Sequence, residues 1–303
     1  MLGSGGNFAS VGDARERLAG QDYIVDEGLA TSLYLALAMG KPLFLEGEPG
    51  VGKTEVAKVL ARLFETRLIR LQCYEGLDVN HAVYEWNYPR QLLEIQARRA
   101  SAAGTAQTAG SATRDIFTEE FLLKRPLLEA IDRSHESAPV LLIDELDRAD
   151  EEFESFLLEL LSDYQITVPE IGTLRAEHRP VVIITSNRTR EIHDALKRRC
   201  LYHWIDYPSL EKELEIVRRK VPQIEERLGR EIVAFVQKLR EQDLYKLPGV
   251  SETLDWAVAL DHLNTRRLTP EAVAATVGLV LKYQDDVEKL RAEAPRILEE
   301  ALG

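Results

Sequence analysis

The stretch Gly47-Glu48-Pro49-Gly50-Val51-Gly52-Lys53-Thr54 decides the fold. It matches the pattern G-x-x-x-x-G-K-[ST], in which glycines let backbone N–H groups turn inward around phosphate oxygens. The apolar run Pro42-Leu-Phe-Leu-Glu46 precedes it, and Val56, Val59, Leu60, Leu63 and Phe64 follow at helical spacing. A strand before and a helix after are the context this loop requires. The helix, starting near Thr54, would point its positive dipole end at the phosphates. Lys53 would neutralise β/γ-phosphate charge, and the Thr54 hydroxyl would ligate Mg²⁺. A glycine-rich loop that merely turns the chain is the plainer alternative, and the flanking elements argue against it.

Working outward, Val140-Leu-Leu-Ile-Asp144-Glu145 is an apolar strand ending in two acids. Strand ends of open α/β sheets are where ligands bind. Asp144 suits a water-mediated Mg²⁺ ligand, and Glu145 suits the base that orients and deprotonates an attacking water. The alternative is a pair of acids that only complement a helix dipole. Val181-Val-Ile-Ile-Thr-Ser186-Asn187 is another strand with a polar end. The Asn187 amide can both donate and accept, as a residue between lytic water and γ-phosphate must, although an ordinary polar strand end reads the same way. In Leu196-Lys-Arg198-Arg199-Cys200, an Arg offered to a neighbouring subunit's γ-phosphate would stabilise transition-state charge. Arg199 is preferred to Arg198, and a solvated helix end is the bland reading. The acids Asp147, Asp150, Glu151, Glu152 and Glu154 are read mostly as a solvated helix face.

Leu68-Ile-Arg-Leu-Gln72 and Tyr202-His-Trp-Ile-Asp206 complete a set of five strand-like runs. With helices between them they predict a three-layer α/β/α domain on a parallel five-stranded sheet, residues 1–206. After Pro208 no strand-like run follows. Ile232, Val233, Phe235, Val236 and Leu239 mark one helix, Thr269-Pro270-Glu271 opens another, and a last one carrying Pro295 should kink there. Residues 207–303 therefore read as an all-α domain. Residues 165–175 resemble a hairpin about Gly172, held to an edge or protruding position by Pro169, and residues 100–113 read as a mobile surface loop.

Composition bounds the function. The 303 residues include 38 Lys+Arg against 51 Asp+Glu, a net charge of −13, which disfavours nucleic acid as a partner. Cys73 and Cys200 are too few for a disulfide framework, and the six histidines form no ligand pattern. No apolar run reaches the ~18 residues of a membrane span, and the start of the chain is Gly/Ser-rich rather than signal-like. A soluble, cytoplasmic protein is expected.

Taken together, these motifs resemble an AAA+ ATPase, of the P-loop NTPase fold, and more narrowly the MoxR branch, over nearly the whole chain. Gly47–Thr54 is similar to Walker A, Ile143-Asp144-Glu145 to Walker B, Asn187 to sensor 1 and Arg199 to the arginine finger. Gly20-Gln-Asp-Tyr23-Ile24 resembles the adenine-contacting box. Residues of about 78–120 are placed like the family's helix-2 insert, 165–175 like its hairpin, and 207–303 like its helical lid. The resemblance implies that Tyr23, Ile24, residues 47–54, Glu55 and Asp144 bind ATP. Thr54 and Asp144 would serve the nucleotide's Mg²⁺. It further implies a hexameric ring, a partner bearing a von Willebrand A domain and a metalloenzyme client. Gln72-Cys-Tyr-Glu-Gly-Leu-Asp78, Val83-Tyr-Glu-Trp-Asn87 and Ser251-Glu-Thr-Leu-Asp-Trp256 are similar to the subgroup linked to maturation of molybdenum hydroxylases such as aerobic carbon monoxide dehydrogenase.

One departure is plain: Thr253 stands where many such lids present a sensor 2 Arg. The lid then either contacts phosphate with another residue or couples to it weakly. The expected function is an Mg-ATP-hydrolysing chaperone or remodelling ATPase that assists assembly or metal insertion in a client enzyme. Two alternatives stay open. One is a nucleic-acid motor using Arg90, Arg98, Arg99 and Arg114 of the insert; the other is a slow, nucleotide-gated protein-binding scaffold.

Overall fold

Every residue of β5, Val140–Asp144, is buried, whereas β2, Leu68–Gln72, alternates, with only Ile69 and Leu71 buried. That difference reflects their places in the sheet. The order is β2-β5-β8-β1-β9, so β2 is an edge strand covered on one face, and β5 is interior. The parallel registers pair Leu68 with Val140 and Val140 with Val181.

The computed structural model describes residues 7–101 and 116–303; the start of the chain, and the expected surface loop from residue 102 on, lie outside them. In chain order the elements are α1 (Val11–Ala19), α2 (Glu27–Met39), β1 (Leu43–Gly47), α3 (Lys53–Leu63), β2, α4 (Val79–Ala82), β3 (Tyr84–Trp86), α5 (Tyr88–Ser101), β4 (Leu122–Lys124), α6 (Pro126–Ala130) and β5. There follow α7 (Glu151–Asp163), β6 (Gln165–Val168), β7 (Gly172–Arg175), β8 (Val181–Ser186), α8 (Asp194–Lys197), β9 (Leu201–Ile205) and α9 (Leu210–Lys220). The last are α10 (Glu226–Arg240), α11 (Val250–His262), α12 (Pro270–Thr276) and α13 (Gln284–Leu302). The fold is thus a parallel five-stranded P-loop α/β fold with C-terminal helices. Among the described residues, no helix is long and apolar enough to cross a membrane.

Two compact units make up the chain. Among the described residues, one holds Asn7 and Phe8, Ser32–Leu45 and Leu60–His203; the other holds Ala9–Thr31, Glu46–Val59 and Trp204–Gly303. In the first unit, Phe44, Leu141, Ile143, Phe153, Leu157 and Ile184 belong to one buried cluster. The hairpin at 165–175 is present as the antiparallel pair β6–β7, a separate two-stranded sheet. A second small sheet pairs β3 with β4 across the insert, Tyr84 opposite Lys124 and Trp86 opposite Leu122. The sequence reading did not foresee it, because three-residue strands carry no measurable alternation. Arg90 in α5 pairs with Glu120 and lies over the Phe121 ring. Arg114 and the side chains of Arg98 and Arg99 lie outside the described residues.

In the second unit, α9–α13 share a core in which Trp256 and Phe235 are wholly buried, 5.6 Å between ring centroids. Capping follows the sequence signals. Ser209 accepts the Lys212 amide at the start of α9, and Thr269 accepts the Ala272 amide ahead of Pro270. The last helix continues through Pro295.

Candidate functional site

The expected residues fall into two groups, one in each unit. The loop after β1 belongs to the second unit. Gly50 has φ +79° and Gly52 φ +97°, backbone conformations that L side chains rarely adopt, and α3 begins directly at Lys53. Lys53 is buried, and its ammonium donates to the carbonyls of Gly47 (2.7 Å) and Glu48 (2.8 Å). Thr54 and Glu55 form the first turn of α3, where backbone N–H groups have no intrahelical acceptor. Loop, lysine and helix end therefore present donors and positive charge, which suits a polyphosphate.

The Tyr23 hydroxyl in the same unit makes a long hydrogen bond to the Gly52 carbonyl, 3.4 Å. Burial, with Asp26 and Glu55 nearby, pushes its pKa up, so it remains a neutral donor. Ile24 lines a cavity of about 330 Å³ with Ala19, Val25 and Arg219. Arg219 donates to the Ala19 carbonyl, 2.7 Å. Sequence reasoning did not single out Arg219, which carries no motif.

The second group lies in the first unit. Asp144 is buried at the end of β5. Its Oδ1 accepts the Thr185 hydroxyl at 2.6 Å, and its Oδ2 accepts Arg70 from β2 through Nε (3.0 Å) and Nη2 (2.5 Å). Thr185 also accepts the Glu145 amide, 2.9 Å. Glu145 is half-exposed and held at φ +55°, a left-handed conformation costing a non-glycine residue about 1–3 kcal/mol. Arg148 lies 3.2 Å from its carboxylate. Asp144 thus sits in an ordered shell, and Glu145 is turned out of the strand on a strained backbone.

Asn187 follows β8, and its backbone N–H donates to Asp147 Oδ1, 3.1 Å. The Thr189 amide and hydroxyl both donate to Asp147 Oδ2, 2.9 and 2.7 Å. The reading of the acidic run as mostly solvated holds for Asp150, Glu151 and Glu152 and fails for Asp147 and Glu154. Asp147 and Glu154 are buried, Asp150 caps α7 by accepting the Phe153 amide, and only Glu151 and Glu152 are left as exposed acids of the first turn. Buried Glu154 accepts the His193 amide and pairs with Arg190, which also donates to the Ala149 carbonyl. Charge runs read alike whether solvated or buried, because only tertiary partners distinguish them.

Arg198 and Arg199 are exposed beyond α8. Arg199 is tethered to the end of α7 through Ser162 Oγ (2.7 Å) and to the Ala195 carbonyl (3.1 Å).

Thr253 lies in the second unit, wholly buried in α11. Its hydroxyl donates to Glu213 Oε1 at 2.7 Å. It therefore does not stand in for an arginine that reaches a ligand.

A lysine-bearing glycine loop after the first strand of this sheet order defines a P-loop nucleotide-binding protein. Residues 42–200 match the AAA domain family, dynein-related subfamily, and the chain belongs to that family, an AAA+ ATPase family.

The chain is 24% identical over 270 residues to a Lon protease of Cytophaga hutchinsonii, covering 82% of this chain and 29% of that protein. The chain therefore spans under a third of that relative's length. It is 28% identical over 274 residues to the uncharacterized protein YojN of Bacillus subtilis, 87% of this chain and 80% of that one. Among solved structures, a Thermotoga maritima RuvB mutant superposes with a TM-score of 0.49 at 17% identity, covering 92% of this chain and 74% of that one.

Proposed function

We propose that the protein is a MoxR-type AAA+ ATPase that hydrolyses Mg-ATP to remodel a client protein. The supporting observation is the buried Lys53 held over the Gly47 and Glu48 carbonyls by a loop of left-handed glycines. In this reading residues 47–54 and Glu55 hold the triphosphate, while Tyr23 and Ile24 serve the nucleoside end. Thr54 and Asp144 would hold Mg²⁺, and the oxygen donor set suits that ion, which supplies charge neutralisation when bound. Glu145 orients and deprotonates the lytic water, Asn187 fixes its position, and Arg199, with Arg198 as second choice, serves a neighbouring subunit.

The division into a nucleotide-binding domain, 1–206, and a lid, 207–303, belongs to this proposal. So do a hexameric ring, a partner with a von Willebrand A domain, cytoplasmic location and a metal-dependent client of the molybdenum hydroxylase kind.

Phosphate release and nucleotide binding test the reading together. Lys53→Ala should abolish ATP binding. Glu145→Gln should bind ATP with near-normal affinity and hydrolyse it at least a hundredfold more slowly. Unchanged hydrolysis in Glu145→Gln would remove Glu145 as the base. Thr253, turned onto Glu213, favours one second reading, a slow nucleotide-gated scaffold. Turnover that stays low with every partner tried would support that reading over a motor.

A further inference from the structure

Within the second unit two backbone hydrogen bonds join the phosphate loop to α11. The amides of Val250 (3.0 Å) and Ser251 (3.3 Å) both donate to the Gly50 carbonyl. A Cβ on Gly249 would stand 2.8 Å from both Gly50 Cα and the Pro49 carbonyl oxygen, and one on Gly50 would stand 2.7 Å from Ser251 Oγ. Only two glycines allow so close an approach.

A buried network fixes the 248–250 turn that makes this contact. Arg240 donates through Nε to the Pro248 carbonyl (2.8 Å) and through both terminal nitrogens to Glu213 (2.6 and 2.8 Å). Glu213, fully buried, also accepts Gln237 (2.7 Å) and the Thr253 hydroxyl. That hydroxyl lies 3.2 Å from the Gly249 carbonyl as well. The Tyr207 ring closes over the Arg240 guanidinium at 4.6 Å. A bidentate buried pair is costly to break and admits one geometry, so it serves as a rigid mount.

We propose that Arg240, with Glu213 and Thr253, is a positioning residue for the phosphate loop, and that the lid reads nucleotide through the Gly50–Gly249 backbone contact instead of a sensor arginine. The inference rests on the nucleotide reading above. A phosphate drawing the loop amides inward moves Gly50, and Gly50 is tied to the first amides of α11. The turn behind those amides cannot yield, so the displacement passes to the helix.

Hydrogen exchange on the wild-type chain, with and without saturating ADP, tests this. The amides of residues 249–252 should exchange about tenfold more slowly with ADP, while α13 is unchanged. Gly249→Ala should weaken ADP binding about tenfold and abolish the exchange change, with helix content retained. Arg240→Lys should act in the same direction, because one ammonium cannot hold Glu213 and Pro248 in the guanidinium's fork geometry. A wild-type chain that binds ADP without slowing exchange at 249–252 overturns the proposal, as does Gly249→Ala binding ADP like wild type. A wild-type chain that binds no ADP instead overturns the nucleotide reading itself.

Discussion

Asp147 and Asn187, forty residues apart in sequence, are joined by one hydrogen bond from the Asn187 backbone N–H to Asp147 Oδ1 at 3.1 Å. With the two bonds from Thr189, it ties the segment after Glu145 to the segment after β8. Asp147→Ala would remove the carboxylate shared by these part-buried donors, at a net cost of about 0.5–1.5 kcal/mol per hydrogen bond. The expected outcome is a lower unfolding midpoint in urea and ATP turnover reduced about tenfold, with ATP affinity within about twofold of wild type. Affinity falling in parallel with turnover would show that the Asn187 loop acts on binding rather than on the lytic step.

Thr185 offers a narrower perturbation. Its single hydroxyl donates to Asp144 and accepts from the Glu145 amide. Thr185→Val keeps the β-branched shape and removes both bonds. We expect Glu145 to lose its fixed backbone and steady-state phosphate release to fall about tenfold or more, whereas Thr185→Ser should retain most of it. Equal activity in the two variants would exclude the hydroxyl from the arrangement of Glu145.

Arg199 is exposed, yet held by Ser162 and the Ala195 carbonyl, and so is presented outward with a defined direction. If it serves a neighbour's nucleotide, Arg199→Ala subunits mixed with wild type should lower activity below the proportional average. Activity that tracks the wild-type fraction linearly would argue against a shared site. Ser162→Ala, which frees Arg199 without removing it, should give an intermediate loss.

The two cysteines report on pH. Burial is the main cause pushing both thiols up to about 12, reinforced at Cys73 by Asp144, Asp147 and Glu145 and opposed at Cys200 by Lys41 and Arg199. The folded state therefore favours the neutral thiol. Its contribution to stability is complete below the unfolded thiol pKa of about 8.5 and is lost as pH climbs from there toward 12. Iodoacetamide at pH 8 should label neither cysteine in the native protein and both in urea. The urea midpoint should fall between about pH 9 and 11. Native labelling at a free-thiol rate would contradict the burial.

By itself the sequence determined the phosphate loop, the interior strands and the helical character after Pro208, because these are local. Glycines at fixed offsets from Lys53, five-residue apolar runs and the cap at Thr269 act through backbone preference and periodicity that need no distant partner. Tertiary structure alone decided which acids are structural. Asp147 and Glu152 belong to the same charge run, yet one is buried under three donated hydrogen bonds and the other is exposed. It likewise placed Arg70 on Asp144 across two strands, bent Glu145 into a left-handed conformation, and turned Thr253 toward Glu213. A buried charge is stabilised by partners far along the chain, so its environment is set by packing and carries no signature in the residues beside it.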